Sequence, residues 1–276
     1  MSEVPRLKLD ELLLEVEFTS KRYLLVEGPT DKRFFSAWVL DIEVDDKVIV
    51  TCVEDIEIDD DLVLLAGLND SNRSRVIVAA KQASNATERL VGIADRDCGH
   101  GVEENACSAL KWTDFPSLES YAVEEEILDR ANLLGFSGKL PAAREYFAGL
   151  SFALAELFCV RLRNEHLPAP KYDAGFARTP RDLATFDVAR AVDTRIRSEV
   201  GSYERPNHDD VRTFAYGHDV AELLLAAYGN ALKNQAGLQT REAVEGALLS
   251  AVQIVGKYKH EPLFAGLAHW IASEST

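Results

Sequence analysis

Short apolar runs alternate with helical patterns along the first half of the chain. The runs end at Gly, Pro or acidic residues, which is typical of buried strands. Strands are predicted at residues 22–27, 48–53, 90–94 and 109–112, and helices at 31–40, 71–83 and 118–134. This order predicts an α/β fold, in which a mainly parallel sheet carries helices on its faces.

Only the helical pattern continues beyond about residue 140. Helices are predicted at residues 144–167, 182–200, 219–232, 240–256 and 263–272. We therefore expect a sheet domain over residues 1–140 and an all-helical domain over residues 141–276. The later helices carry apolar runs such as Leu223–Leu225, which predict a homodimer or a docking surface for a partner.

Composition limits the classes of protein to consider. Hydrophobic residues make up 47% of the chain, enough for a buried core, and the net charge is −16. This charge argues against binding nucleic acid through the whole surface. No apolar stretch reaches the roughly 18 residues of a membrane span, so we expect no membrane partner. The four cysteines lack paired spacing, which indicates free thiols and a cytoplasmic protein.

Carboxylates follow two of the predicted strands. Glu27 ends the first strand, and Asp95 and Asp97 follow the strand at 90–94. Ligands of open α/β sheets bind at the carboxyl ends of the strands, and alternate residues of an extended chain point the same way. Oxygen ligands alone suit Mg²⁺ or Mn²⁺. A solvated turn at Asp95–Asp97 and a helix-dipole role for Asp31 remain open alternatives.

The Glu-Gly-x-x-Asp motif that begins at Glu27, with the later Asp-x-Asp, resembles the TOPRIM domain over roughly residues 20–135. This resemblance implies that Glu27 is the catalytic acid/base or a metal ligand, and that Asp95 and Asp97 bind Mg²⁺. The nuclease branch of the family, of the overcoming-lysogenisation-defect type, adds two acids. Asp31 and Glu119 match them, which implies a metal site of up to two ions. On residues alone, Glu119 is equally well an exposed helical glutamate.

The nuclease branch also uses a basic residue after a glycine, late in the fold. His218 follows Gly217 at about this position and is a candidate catalytic residue, although histidine departs from the family pattern. The alternative is a capping histidine before a helix at Asp219. Cys98, His100 and Cys107 lack a fourth ligand at zinc-site spacing, and we interpret them as loop residues.

Small standalone TOPRIM effectors of anti-phage systems such as PARIS are similar to this chain. The resemblance implies a Mg²⁺-dependent endonuclease that cleaves RNA, with tRNA as a candidate, as a toxic effector triggered by a separate ATPase. The chain has no P-loop motif, so any ATPase must be another chain. The alternative is a regulatory or scaffold protein that docks on a partner with little intrinsic activity, which the charge of −16 favours.

Overall fold

The structure is a computed structural model that describes residues 6–165, 167–177, 179, 181–197, 200–201 and 210–273. Its strands are β1 (Leu7–Lys8), β2 (Arg22–Val26), β3 (Val48–Cys52), β4 (Ile56–Glu57), β5 (Leu90–Ala94) and β6 (Leu110–Trp112). Its α-helices are α1 (Leu9–Phe18), α2 (Pro29–Asp41), α3 (Asp60–Leu65), α4 (Asn72–Ala86), α5 (Glu125–Leu134), α6 (Ala143–Arg163), α7 (Val188–Ala191), α8 (Gly217–Gly229), α9 (Arg241–Val255) and α10 (Pro262–Ala272). The predicted α/β fold with a helical C-terminal region is confirmed. Among these helices, none is long and apolar enough to cross a membrane.

The chain divides into two compact units. The sheet unit comprises Met1–Asp95, Gly101–Asp114 and Lys259–Thr276, and the helical unit comprises Arg96–His100 and Phe115–Tyr258. This division differs from the expected boundary near residue 140. Helix α5 packs against α9 and so groups with the helices, whereas α10 packs on α2 and groups with the sheet.

The main sheet has four parallel strands in the order β3-β2-β5-β6. Leu24 of β2 pairs with Val50 on one side and with Val91 on the other. The chain runs from β2 through α2 to β3 on one side, while β5 lies on the opposite side of β2. The strand order therefore reverses between β2 and β5. Such a switch point opens a crevice at the carboxyl ends of the strands.

Helices α1 and α4 pack with the sheet in one core cluster. Their buried residues, such as Val16 and Ile77, share this cluster with Tyr23 and Leu25 of β2. Gly92 of β5 allows α4 to approach closely, because an added Cβ would lie 2.9 Å from the Val76 Cγ1. The separate two-stranded sheet, in which β1 pairs with β4 in parallel, lies at the start of α1.

Helix α10 returns to the sheet unit through an aromatic cluster. The Phe264 ring stacks on Phe35 with the ring centroids 5.6 Å apart and meets Trp38 edge-on, also at 5.6 Å. All three side chains are almost fully buried. The last described helix of the chain therefore completes the core of the first described segments.

Most predicted elements are confirmed to within a few residues. One predicted helix is divided, another is broken into short pieces, and two helices, α1 and α3, were missed. The helix expected at 118–134 is a 3₁₀ turn at Leu118–Ala122 followed by α5, with a non-helical break at Val123. Within the described residues, the helix expected at 182–200 is replaced by a 3₁₀ turn at Leu183–Thr185 and the short helix α7. Asp182 and Asp193 accept hydrogen bonds from nearby backbone N–H groups, which favours turns over a helix.

Replacing Phe264 by alanine should lower the free energy of unfolding by about 3–5 kcal/mol. The substitution removes a buried ring and leaves a cavity among the aromatic side chains. Urea denaturation followed by circular dichroism measures this change. Phe18→Ala is the matched control, since the Phe18 side chain is 87% exposed. Equal effects of the two substitutions would contradict the packing described for α10.

Candidate functional site

The carboxyl ends of β2 and β5 bring Glu27 and Asp95 together. Each is the first residue after its strand, and each is half-buried. The Glu27 Oε1 accepts a hydrogen bond from the backbone N–H of Asp95, with a donor–acceptor distance of 2.8 Å. Two carboxylate residues thus meet at the switch point of the sheet, where ligands of this class of fold bind.

Asp31 stabilises the first turn of α2. Its Oδ2 accepts a hydrogen bond from the backbone N–H of Gly28 at 3.0 Å. An acidic residue at this position satisfies a backbone donor that the helix leaves open and interacts favourably with the helix dipole. Asp31 therefore has the helix-stabilising role that was one of the two considered for it. Its role as a metal ligand stays a prediction.

Two cations are held at this edge of the sheet. Lys32 pairs with Asp55 at 2.8 Å. Burial by itself raises the pKa of Asp55, but hydrogen bonds from Lys32 and Cys52 lower it to about 2. The Nε of Arg73 donates to the backbone carbonyl of Asp95 at 2.9 Å.

Arg73 was not among the predicted site residues. Its guanidinium also lies 4.9 Å from the centroid of the Trp112 ring, a cation–π contact that helps to fix its position. The sequence contained a usable signal, because the helix of a β-α-β crossover begins at the carboxyl edge of the sheet. Arg73 occupies the first turn of such a helix, α4.

Asp97 does not continue the extended chain after β5. The expectation that Asp95 and Asp97 lie on one extended segment is therefore wrong. Its backbone has a φ of 52°, in the left-handed region. Its N–H donates to the carbonyl of Pro116 at 2.9 Å, and a bond from Gly99 to the Arg96 carbonyl closes the turn. Asp95 belongs to the sheet unit and Asp97 to the helical unit.

Glu119 and His218 lie together within the helical unit. Helix α8 begins at Gly217, where an added Cβ would lie 2.4 Å from the Glu119 Oε2 and 2.3 Å from the Ser117 Oγ. A side chain at this position would displace the Glu119 carboxylate or the Ser117 hydroxyl, so glycine allows both to approach the start of α8. The next residue, His218, places its Nδ1 3.1 Å from the Glu245 Oε1 of α9. Glu119 and His218 therefore form a second group of predicted site residues, in addition to Glu27 and Asp95.

The electrostatics of this second group follow from two acids around one histidine. Burial, and then the charge of Glu245, raise the pKa of Glu119. The hydrogen bond that His218 donates to Glu245 raises the pKa of His218, because the carboxylate stabilises the protonated ring. Glu245 was not predicted. Its signal was a single acid on the buried, otherwise apolar face of α9.

A buried ion pair holds the start of α8. The fully buried Asp219 carboxylate accepts hydrogen bonds from the Arg161 Nε at 2.9 Å and Nη2 at 2.6 Å, and another from the Tyr172 hydroxyl. The Arg161 guanidinium lies 4.4 Å from the centroid of the Tyr216 ring. Asp219 is fully buried and accepts three hydrogen bonds, so this ion pair fixes the start of α8 at the residue next to His218.

In the part of the chain that the structure describes, no group of three or more His, Cys, Asp or Glu side chains is arranged to hold a metal ion. Mg²⁺, however, is commonly held by one or two carboxylates together with water and substrate phosphates. Glu27 and Asp95 supply such a donor pair. The oxygen-only pair therefore fits Mg²⁺ or Mn²⁺ better than zinc.

His218 should titrate above its ordinary pKa of about 6.5, and Glu245→Gln should lower that pKa. Because the folded-state pKa is raised, the stabilisation is fully present below the unfolded pKa and is lost as the pH rises through the folded one. NMR titration of the histidine rings measures both values, with His218→Gln assigning the resonance. Glu17→Gln, which removes an exposed acid of α1, is the matched control. An unchanged His218 pKa in Glu245→Gln would contradict this account.

No protein-family model matches this sequence, and no curated protein matches it.

Proposed function

We propose that this protein is a Mg²⁺- or Mn²⁺-dependent endonuclease that hydrolyses phosphodiester bonds of RNA, with tRNA as a candidate substrate. The observation that carries the proposal is the contact of Glu27 with the backbone of Asp95 at the switch point of a parallel sheet. Carboxylates at this position suit a cation that neutralises a substrate phosphate. The resemblance to TOPRIM nucleases supplies the reaction class and the preference for RNA.

Each residue has a proposed task. Asp95, with Asp97 as the second acid of the motif, would hold the ion, which supplies charge neutralisation at the phosphate. Glu27 either ligates the ion or takes the proton from the attacking water, and the hydrogen bond from Asp95 N–H fixes one of its oxygens. Asp31 and Glu119 are the proposed further metal ligands.

Two basic side chains, Arg73 and His218, are proposed to interact with the negatively charged phosphate. Arg73, fixed by the Asp95 carbonyl and by Trp112, offers a positive charge to the phosphate beside the carboxylates. His218 is proposed to contact a phosphate or to transfer a proton, since its raised pKa keeps a larger fraction protonated near neutral pH. These tasks require local attraction of the substrate, because the net charge of −16 repels a polyanion at long range.

The proposal extends to the biological context. By its resemblance to standalone TOPRIM effectors, the protein acts in the cytoplasm as a toxic component of anti-phage defence. A separate ATPase subunit would trigger it, and a homodimer is the proposed assembly. The alternative function is a regulatory or scaffold role with little intrinsic activity. Its support is the strong negative charge and the structural use of Asp31 as a helix cap.

Glu27→Gln should reduce RNA cleavage at least a hundredfold while leaving the fold intact, because the amide oxygen can still accept the hydrogen bond from Asp95. Cleavage of labelled tRNA is measured with Mg²⁺, with the protein alone and together with the product of a neighbouring gene. Glu17→Gln, an exposed acid of α1, is the matched control. Undiminished cleavage by folded Glu27→Gln would refute the assignment of the site. No cleavage by the wild type under either condition would favour the scaffold role.

Mg²⁺ should stabilise the folded protein, because it binds the native state and relieves repulsion between clustered carboxylates. At a hundredfold excess over Kd the gain is about 2.7 kcal/mol. Calorimetry in MgCl₂ and in NaCl of equal ionic strength separates binding from screening of the acidic surface. The double variant Asp95→Asn, Asp97→Asn should lose the Mg²⁺-specific shift. A shift equal to that of the wild type would show that these aspartates do not hold the ion.

A further inference from the structure

A groove on the sheet unit is lined by residues that have no part in the candidate site. Its volume is about 670 Å³, within the range of pockets that bind ligands. The apolar residues that line it come from α1, from α3 and from the segment before α3; they are Leu9, Leu13, Ile58 and Leu62. The charged residues that line it are mainly acidic; they are Asp10, Glu57, Asp59, Asp60 and Lys8. The groove is thus apolar with an acidic rim.

Two of the rim carboxylates already have partners. Asp59 accepts a hydrogen bond from the Asp61 N–H at 2.9 Å, and Asp60 pairs with Arg75 at 2.7 Å. Asp10 and Glu57 are exposed, and neither carboxylate forms a hydrogen bond or ion pair with any described residue. These two negative charges are available to a ligand.

Further exposed apolar side chains lie on α1 and α3, two of the elements that line the groove. Leu64 and Leu65 of α3 are 69% and 84% exposed, and Leu14 of α1 is 54% exposed. Large exposed apolar side chains on adjacent elements indicate an interaction surface rather than a pocket for a small molecule alone. The acidic rim excludes nucleic acid and anionic lipid. A second copy would bring the same acids together, and each copy carries a charge of −16.

We propose that this groove binds a basic amphipathic segment of a partner protein. Apolar side chains of the segment would cover Leu13 and Leu62, and its Lys or Arg side chains would pair with Asp10 and Glu57. This mode joins a helix-in-groove contact to charge complementarity. The proposal is independent of the chemistry at Glu27.

A synthetic amphipathic peptide of leucine and lysine, about 14 residues or four helical turns long, is the probe. Its binding to the full chain is followed by fluorescence anisotropy. In one comparison peptide glutamate replaces lysine, and in the other serine replaces leucine. The leucine–lysine peptide should bind at least roughly tenfold more tightly than either, a difference of about 1.4 kcal/mol.

Two variants connect binding to the groove. The double variant Asp10→Asn, Glu57→Gln should weaken binding roughly threefold to tenfold, as expected for two exposed ion pairs. Asp45→Asn, Asp46→Asn makes the same change in net charge at exposed sites that do not line the groove, and it should bind as the wild type does. Gln82→Trp places a large ring at the exposed edge of the groove without altering the core, and should also weaken binding.

Four results would overturn the proposal. Equal binding by both double variants would indicate general attraction to an acidic surface. Tight binding of the serine–lysine peptide would show that the apolar floor is not used. A homodimer in sedimentation that Gln82→Trp abolishes would identify a second copy as the occupant. Absence of binding at millimolar peptide would leave the groove without this function. Melting curves confirm that each variant is folded.

Discussion

Strand β2 has hydrogen-bonded neighbours on both sides, and this constraint determines what the carboxyl edge of the sheet can do. All five of its residues are buried, so the strand has no exposed position of its own for a polar reactive group. The first residue after it with access to solvent is Glu27. Since β5 is paired in parallel beside it, the carboxylate of Glu27 reaches the backbone of Asp95 directly. The position of the two residues follows from strand pairing, not from loop conformation.

The sequence predicted those parts of the fold that depend on local periodicity. Strands β2 and β5 end next to Glu27 and Asp95, as the sequence predicted. The prediction succeeded because apolar runs and the residues that end them are properties of short segments. A turn at Asp97 was one of two alternatives that the sequence left open, because the choice depends on a hydrogen bond to Pro116 that local periodicity does not reveal. The grouping of Glu119 with His218 likewise required the packing of α8 and α9. Glu245 became recognisable only once the buried face of α9 was known.

The helical unit contains two charged groups that differ in how their acids are paired. Around Asp219, one acid is matched by Arg161 and by a tyrosine hydroxyl, so the pair is electrically neutral and rigid. Around His218, two acids share one histidine, and Arg241 lies 3.3 Å from the second acid, Glu245. The hydrogen bond to Glu245 raises the pKa of His218 within this group. Because both begin at the first turn of α8, a fixed charge pair adjoins a group that can titrate.

The contribution of α10 to the sheet unit has a consequence for the order in which the chain folds. Strands β2 and β5 and helix α2 are synthesised early, but Phe264, which closes the aromatic cluster on α2, is synthesised after the whole helical unit. Until then the rings of Phe35 and Trp38 lack one of their neighbours. Domains that are contiguous in sequence can fold as they are synthesised, whereas this sheet unit cannot finish before its last segment arrives. Glu27 and Asp95 therefore belong to a unit that is not fully packed until α10 has been synthesised.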